Sequence, residues 1–244
     1  MDFSGKTVIV TGAGAGMGRA AALGFARLGA SLVVNSISDS AAKVCADLVA
    51  QGVPAIFVKA DVSEKEGAKK LIETAVKTFG GIDVLVNAAG IVANGSVEDC
   101  DEETWDKSMK VNVKSVYLTS RLAMPYLRQR KGVIVNITST VAIKGVINRA
   151  AYSATKGAIL SLSRSMAAEY IGEGVRVNCV CPGTVESDSF KRRVAASPDP
   201  EQAMKDFVAR QPMGRLGRPE ELAEAILFAA SPGANIVVDG GMTI

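Results

Sequence analysis

The sequence contains no histidine. That absence alone removes a Ser-His-Asp hydrolase, a Cys-His protease and any metal site built on imidazole, so no metal is expected. Cysteine is scarce as well. Cys45, Cys100, Cys179 and Cys181 are scattered or two apart, with no C-x-x-C, which excludes a disulfide-stapled scaffold. Cys179 and Cys181 fall in the apolar run VRVNCVCPG, where alternation puts both on one strand face, and small buried hydrophobes suit that setting better than nucleophiles. Charge of one sign is missing too. Lys and Arg number 28 against 25 Asp and Glu, spread without a basic tract, which disfavours nucleic acid and membrane surfaces as partners. There is no apolar run of about 18 residues, and the start MDFSGKTVIV lacks the charged region and long apolar stretch of a secretory leader, so a cytoplasmic location is expected.

What is present is an ordinary globular mixture, 244 residues with 48% hydrophobic, enough to bury a sizeable core as one domain over 1–244. Short apolar runs alternate with longer helix-patterned stretches. Strands are expected at Thr7–Thr11, Ser31–Asn35, Ala55–Lys59, Val84–Asn87, Val133–Thr138, Val175–Val180 and Ile236–Val238. Helices are expected at Met17–Leu28, Ala41–Gln51, Glu64–Phe79, Glu102–Arg128 and Ala154–Ile171. Near-continuous apolar strands imply a parallel sheet covered on both faces. The reading is therefore α/β: a single-domain, doubly wound Rossmann fold with a mainly parallel seven-stranded sheet. The irregular, proline-containing stretch 184–219 follows a strand end, where substrate loops and lids of such sheets lie.

The first strand runs into Thr11-Gly12-Ala13-Gly14-Ala15-Gly16-Met17-Gly18 and then a helix. Glycines allow a tight turn and a close approach of phosphates to the backbone, and the helix N-terminus offers N–H groups to a pyrophosphate. Gly12, Ala15, Gly16, Met17 and Gly18 are the contact candidates. A carboxylate for the adenosine ribose should end the second strand, yet the text there is Val34-Asn35-Ser36-Ile37. Asp39 comes later and reads as a helix N-cap. Without that carboxylate a 2′-phosphate meets no repulsion, and Ser36 could donate to it. The cofactor expected is NADP, with NAD the alternative.

Without histidine, acid–base chemistry near neutral pH falls to Tyr, Lys, Ser, Cys, Asp or Glu. Tyr152 and Lys156 are four apart on a helix and point the same way, and Ser139 sits at the carboxyl end of the fifth strand. Bringing a phenol from about 10 to near 7 requires roughly 4 kcal/mol. One ammonium at about 4 Å supplies roughly that at an effective dielectric of 20, and falls short when farther away. A lone Tyr-x-x-x-Lys is more often a plain surface pair.

The T-G-x-x-x-G-x-G loop at 11–18, Asn87-Ala88-Ala89-Gly90, Asn112, Ser139, Tyr152 with Lys156, and Pro182-Gly183 together resemble the short-chain dehydrogenase/reductase family in order and spacing, from about Gly5 to Gly241. The resemblance implies hydride transfer between nicotinamide C4 and a carbinol or carbonyl carbon. In that scheme Tyr152 exchanges the proton on the substrate oxygen and Ser139 hydrogen-bonds it. Lys156 lowers the Tyr152 pKa and grips the nicotinamide ribose, and Asn112 holds a water of the proton relay. Asp61 and Val62 would bracket the adenine, Asn87, Ala88 and Gly90 line the cofactor channel, and Pro182, Gly183 and Val185 contact the carboxamide. A homotetramer or dimer is implied too. Between Ser231 and Val238 the chain is several residues shorter than the family pattern.

Val146–Arg149 and Cys179–Glu186 are similar to one branch, that of cytosolic 3-hydroxybutyrate and 2-keto-3-deoxy-L-fuconate dehydrogenases. It implies a small hydroxy acid or sugar acid as substrate, with Arg149, Arg193 and Arg210 around its carboxylate. By position alone, Lys191-Arg192-Arg193 reads as an exposed helix face. Rival readings are a 3-oxoacyl-[acyl-carrier-protein] reductase, in which Arg192 and Arg193 meet an acidic partner, a sugar or polyol dehydrogenase, and a non-catalytic cofactor-sensing module.

Overall fold

The computed structural model describes residues 1–231. In chain order the elements are β1 (Thr7–Val10), α1 (Gly16–Arg27), β2 (Ser31–Ser36), α2 (Ser40–Ala50), β3 (Ala55–Lys59), α3 (Lys65–Phe79), β4 (Val84–Asn87), α4 (Glu102–Ser108), α5 (Ser115–Arg130), β5 (Val133–Ile137), α6 (Ala150–Tyr170), β6 (Arg176–Val180), α7 (Asp188–Ala195), α8 (Pro200–Ala209) and α9 (Pro219–Ala230). The described strands form one parallel sheet in the order β3-β2-β1-β4-β5-β6. The strand expected at Ile236–Val238, and the shortened stretch leading to it, lie outside the described residues.

Alternation divides each strand between two cores. Val8 and Val10 pack with Phe25 of α1, Leu48 of α2 and Leu227 of α9, while Ile9 between them packs with Leu71 of α3 and Leu127 of α5. Both faces are therefore apolar, which is why the strands read as unbroken hydrophobic runs. Helices α1 and α9 pack closely, because a Cβ on Gly24 would lie 2.9 Å from Leu227 Cδ1.

The strand order reverses between β1 and β4, and a crevice opens there at the carboxyl ends of the strands. Thr11 fastens it: its Oγ1 accepts from the N–H groups of Ala88 and Ala89 at 3.0 and 3.1 Å.

Two helices differ from the sequence reading where it matters. The stretch expected as one helix over Glu102–Arg128 carries a wide π-helical turn at Met109–Lys114, with Asn112 inside it. Such turns are invisible to 3.6-residue periodicity and cluster at functional sites. Helix α6 starts at Ala150, four residues earlier than expected, so Tyr152 lies in its first turn. The stretch 184–219 is closed at its base by a bridge between Val185 and Gly217 and holds α7 and α8. Those two helices share a small core of Phe190, Val194 and Leu216, with Phe207 edge-on to Phe190 at 5.0 Å.

Candidate active site

A cavity of about 790 Å³ runs along the crevice from the loop after β1 to α7 and α8. Gly12, Ala15, Gly16, Met17 and Gly18 line one end, and Ser139, Tyr152, Lys156, Arg149, Arg193 and Arg210 line the other. Ser36, Asp61, Val62, Ala88, Gly90, Pro182, Gly183 and Val185 also border it. Asn87 and Asn112 do not.

The glycine loop fits a diphosphate. Gly12 has φ +65°, and a Cβ there would lie 2.9 Å from the backbone of Ala89. A Cβ on Gly18 would collide with the carbonyl oxygen of Gly12. Helix α1 begins after Ala15, which offers no side-chain cap, and its first turn holds no acid. Its leading N–H groups therefore remain available to an anion at the positive end of the helix.

At the adenosine end two expectations need correcting. The Ser36 hydroxyl donates to the Ser38 carbonyl and accepts from Ala41 N–H at 3.3 Å, so it caps α2 and its proton is already engaged. Asp39 occupies the N-cap position but makes no cap bond, because its carboxylate pairs with Lys59 at 2.7 Å. Asn35 bonds the carbonyls of Val58 and Ala60.

Asn87 leaves the channel for a buried polar chain. Thr119 Oγ1 donates to Asn87 Oδ1 at 2.8 Å, Asn87 Nδ2 to Asn136 Oδ1 at 2.8 Å, and Asn136 Nδ2 to Ser163 Oγ at 2.8 Å. This chain ties α5 through β4 and β5 to α6, the helix carrying Tyr152. Asn112 is engaged in a similar way. Its Oδ1 accepts from Ile91 N–H at 2.8 Å, and its amide donates to the Ile91 carbonyl and Thr155 Oγ1, each at 3.0 Å. Both amide protons are committed to fastening the loop after β4 onto α6, so a relay water could take from Asn112 only its main-chain carbonyl.

Ser139 lies just past β5 and caps the short helical turn Thr140–Ala142. Its donation to the Pro182 carbonyl is 3.5 Å long, and it hydrogen-bonds the Tyr152 hydroxyl. That long contact leaves its proton available to a better acceptor. Lys156 is buried, donates to the Ile137 carbonyl at 2.7 Å, and has its pKa pushed down by burial to about 8. Gly90 keeps the space before it open, since a Cβ there would lie 3.0 Å from Asn112 Oδ1 and 3.8 Å from Lys156 Nζ.

In the protein alone burial, rather than Lys156, dominates the Tyr152 pKa. The ammonium lies 5.7 Å from the ring centroid, and burial raises the phenol above its usual range. The groups acting downward on it are the Ser139 hydrogen bond and the charges of Arg193 and Arg149. Arg149, at the N-cap of α6, is fixed by bonds between Gly95 and the backbone of Asn148 and Ala150. Its own pKa is lowered by burial and by the like charges of Arg193 and Arg210. The reading of 191–193 as an exposed face holds for Lys191 and Arg192 and fails for Arg193, which is half-buried with its Nε buried and without a hydrogen-bond partner; Arg192, though exposed, borders the cavity as well. Arg192, which the sequence offers only as a contact for an acidic partner, shares the cavity face with Ser189 and Arg193 through the i, i+3, i+4 spacing of α7. Cys179 is partly buried, with its thiol pushed up to about 11 by burial, while Cys181 is fully buried.

Among the described residues no group of three or more His, Cys, Asp or Glu could hold a metal, and no helix is long and apolar enough to cross a membrane. A family model described as enoyl-(acyl carrier protein) reductase matches residues 12–243. The chain is 45% identical to an uncharacterized oxidoreductase of Thermotoga maritima over 100% of this chain and 99% of the relative. It is 41% identical to dehydrogenase/reductase SDR family member 6 of Danio rerio, over 98% of both chains. It is 40% identical to 2-keto-3-deoxy-L-fuconate dehydrogenase of Xanthomonas campestris, over 98% of this chain and 80% of the relative. The chain belongs to the short-chain dehydrogenase/reductase family and is an oxidoreductase acting on CH–OH groups.

Proposed function

We propose that this protein interconverts a secondary alcohol and a ketone on a small hydroxy acid or sugar acid, with NADP as the preferred cofactor and NAD the alternative. The observation carrying the substrate reading is that Arg149 and Arg193, both half-buried, line the cavity together with Tyr152 while neither forms an ion pair with an acid among the described residues. A substrate carboxylate supplies that missing charge. The 2-keto-3-deoxy-L-fuconate dehydrogenase relative is in keeping with this. For NADP, the support is that Asp39, the acid nearest the end of β2, is paired with Lys59, while the Ser38 and Ser40 side chains border the cavity.

The loop 11–18 and the start of α1 would hold the cofactor diphosphate, and Lys156 the nicotinamide ribose. Held there, a nicotinamide would supply the hydride chemistry of the reaction. Tyr152 gives the substrate oxygen its proton in reduction and removes it in oxidation. Ser139 donates a hydrogen bond to that oxygen, which holds the reacting carbon in place. Lys156, anchored on Ile137, presents its remaining N–H groups to the cavity. Asn112 keeps the loop after β4 and α6 in register and offers its carbonyl to a relay water.

We further take the enzyme to be a cytoplasmic homotetramer of single-domain subunits. Trp105 and Tyr117, 42% and 44% exposed on α4 and α5, support an interface there. Light scattering on the purified chain tests it.

The deciding assay follows nicotinamide absorbance over hydroxy acids, sugar acids, neutral sugars and acyl thioesters, each with NADP and NAD. Preference for free acids is expected. Activity confined to thioesters or neutral polyols would discard the carboxylate reading and leave the Tyr152 chemistry intact.

A further inference from the structure

The four arginines lining the substrate end form two layers. Arg149 and Arg193 are half-buried beside Tyr152, whereas Arg192 and Arg210 are exposed. Arg210 is held over the ring of Phe207 at 5.0 Å, and Phe207 itself borders the cavity. Gln211, next in the chain, is buried and joined to Thr184, which fixes where Arg210 leaves the backbone.

The acids around α7 and α8 are engaged elsewhere. Asp188 pairs with Arg19 at 3.5 Å, Glu186 with Lys191 at 3.2 Å and Glu201 with Lys205 at 2.6 Å, and Asp206 accepts from Gln202 at 2.7 Å. Among the described residues, none of the four cavity arginines forms an ion pair with a carboxylate. Like charges in one cleft repel unless the ligand neutralises them, and their field concentrates anions at the mouth. One carboxylate carries one charge, which the inner pair alone exceeds.

We infer that the substrate carries a second anionic group, held at the cavity rim by Arg192 and Arg210, besides the carboxylate that Arg149 and Arg193 hold beside the reacting carbon. This rests on the carboxylate reading proposed above. The substrate class is then a dianionic hydroxy acid or keto acid, its outer group a carboxylate, phosphate or sulfonate. Arg192 becomes a specificity-determining residue.

The test compares three matched substrates on the full chain with cofactor: a hydroxydicarboxylate, its half-ester with the outer end neutral, and the uncharged alcohol. The dicarboxylate should exceed the half-ester about tenfold in kcat/KM, and Arg192→Gln should remove most of that ratio. Equal values for the dicarboxylate and half-ester overturn the inference. The carboxylate reading still stands if the half-ester beats the uncharged alcohol, and falls if it does not. Preference for an acyl thioester on an acidic carrier protein, weakened by Arg192→Gln, also overturns the inference by assigning the rim to a protein partner. A readout without turnover is thermal stabilisation by glutarate against butyrate at equal ionic strength. Glutarate should stabilise the wild type more, and Arg192→Gln should erase the difference; equal shifts in the wild type count against the second anion site.

Discussion

Lys156 Nζ donates to the Ile137 carbonyl at 2.7 Å while lying 5.7 Å from the Tyr152 ring centroid. The ammonium is thus anchored to the end of β5 rather than to the phenol it is expected to tune. Holding it at about 8 instead of the usual 10.4 costs roughly 3 kcal/mol of folding stability at neutral pH. Removing it deprives the Ile137 carbonyl of a donor, a loss of roughly 1–3 kcal/mol. Lys156→Met should therefore be as stable as the wild type or more so at pH 7, while losing nearly all activity. Between pH 8 and about 10.4 the unfolded lysine still binds its proton and the folded one does not, so wild-type stability should rise relative to the variant's, the opposing Cys179 thiol being common to both. Calorimetry of the two proteins over that range checks it, and a stability difference that does not change with pH would contradict a strained ammonium.

Arg193 is the first of the charges acting on Tyr152. In alcohol oxidation the ionised phenol is the base, so the rate climbs with pH through its pKa. Arg193→Ala should move that limb upward, because one of the charges holding the phenol down is removed. The measurement needs an uncharged alcohol, so that lost carboxylate binding does not intrude. An unmoved limb would separate the arginine from the acid–base group.

Tyr152→Phe keeps the ring and removes the proton carrier. Turnover should fall by roughly 10²–10⁴-fold. Titration of reduced cofactor by fluorescence should give nearly the wild-type affinity. Retained turnover would sink the mechanism.

Gly18→Ala places a Cβ against the Gly12 carbonyl. The loop must shift to relieve it, and cofactor affinity should drop about tenfold or more. Wild-type affinity in that variant would remove this loop from the cofactor site.

Asn136 bridges Asn87 and Ser163 inside the sheet. Asn136→Ala leaves both partners short of a bond and should cost roughly 2–4 kcal/mol, read as a lower urea midpoint. A loss within about 0.5 kcal/mol would mean that the buried chain does not hold α6 in place.

The sequence by itself determined the sheet and the chemistry it carries. Unbroken apolar runs such as Val8–Val10 can only be strands covered on both sides, and Tyr152 with Lys156 share a helix face by spacing alone. The absence of histidine left Tyr, Lys, Ser, Cys, Asp and Glu for acid–base chemistry, and the resemblance to the short-chain dehydrogenase/reductase family pointed to Tyr152 with Lys156 among them. Tertiary structure decided which polar atoms remain available. Ser36 turned inward to cap α2, Asp39 was drawn to Lys59 on the neighbouring strand, and Asn112 was committed to Ile91 and Thr155 across the crevice. It also decided that Arg192 and Arg193 face the cavity, while the neighbouring Asp188 and Glu186 are engaged by Arg19 and Lys191. Periodicity reports which face of an element is apolar and carries no information about hydrogen-bond and charge partners far along the chain. Those partners are chosen only when the elements pack.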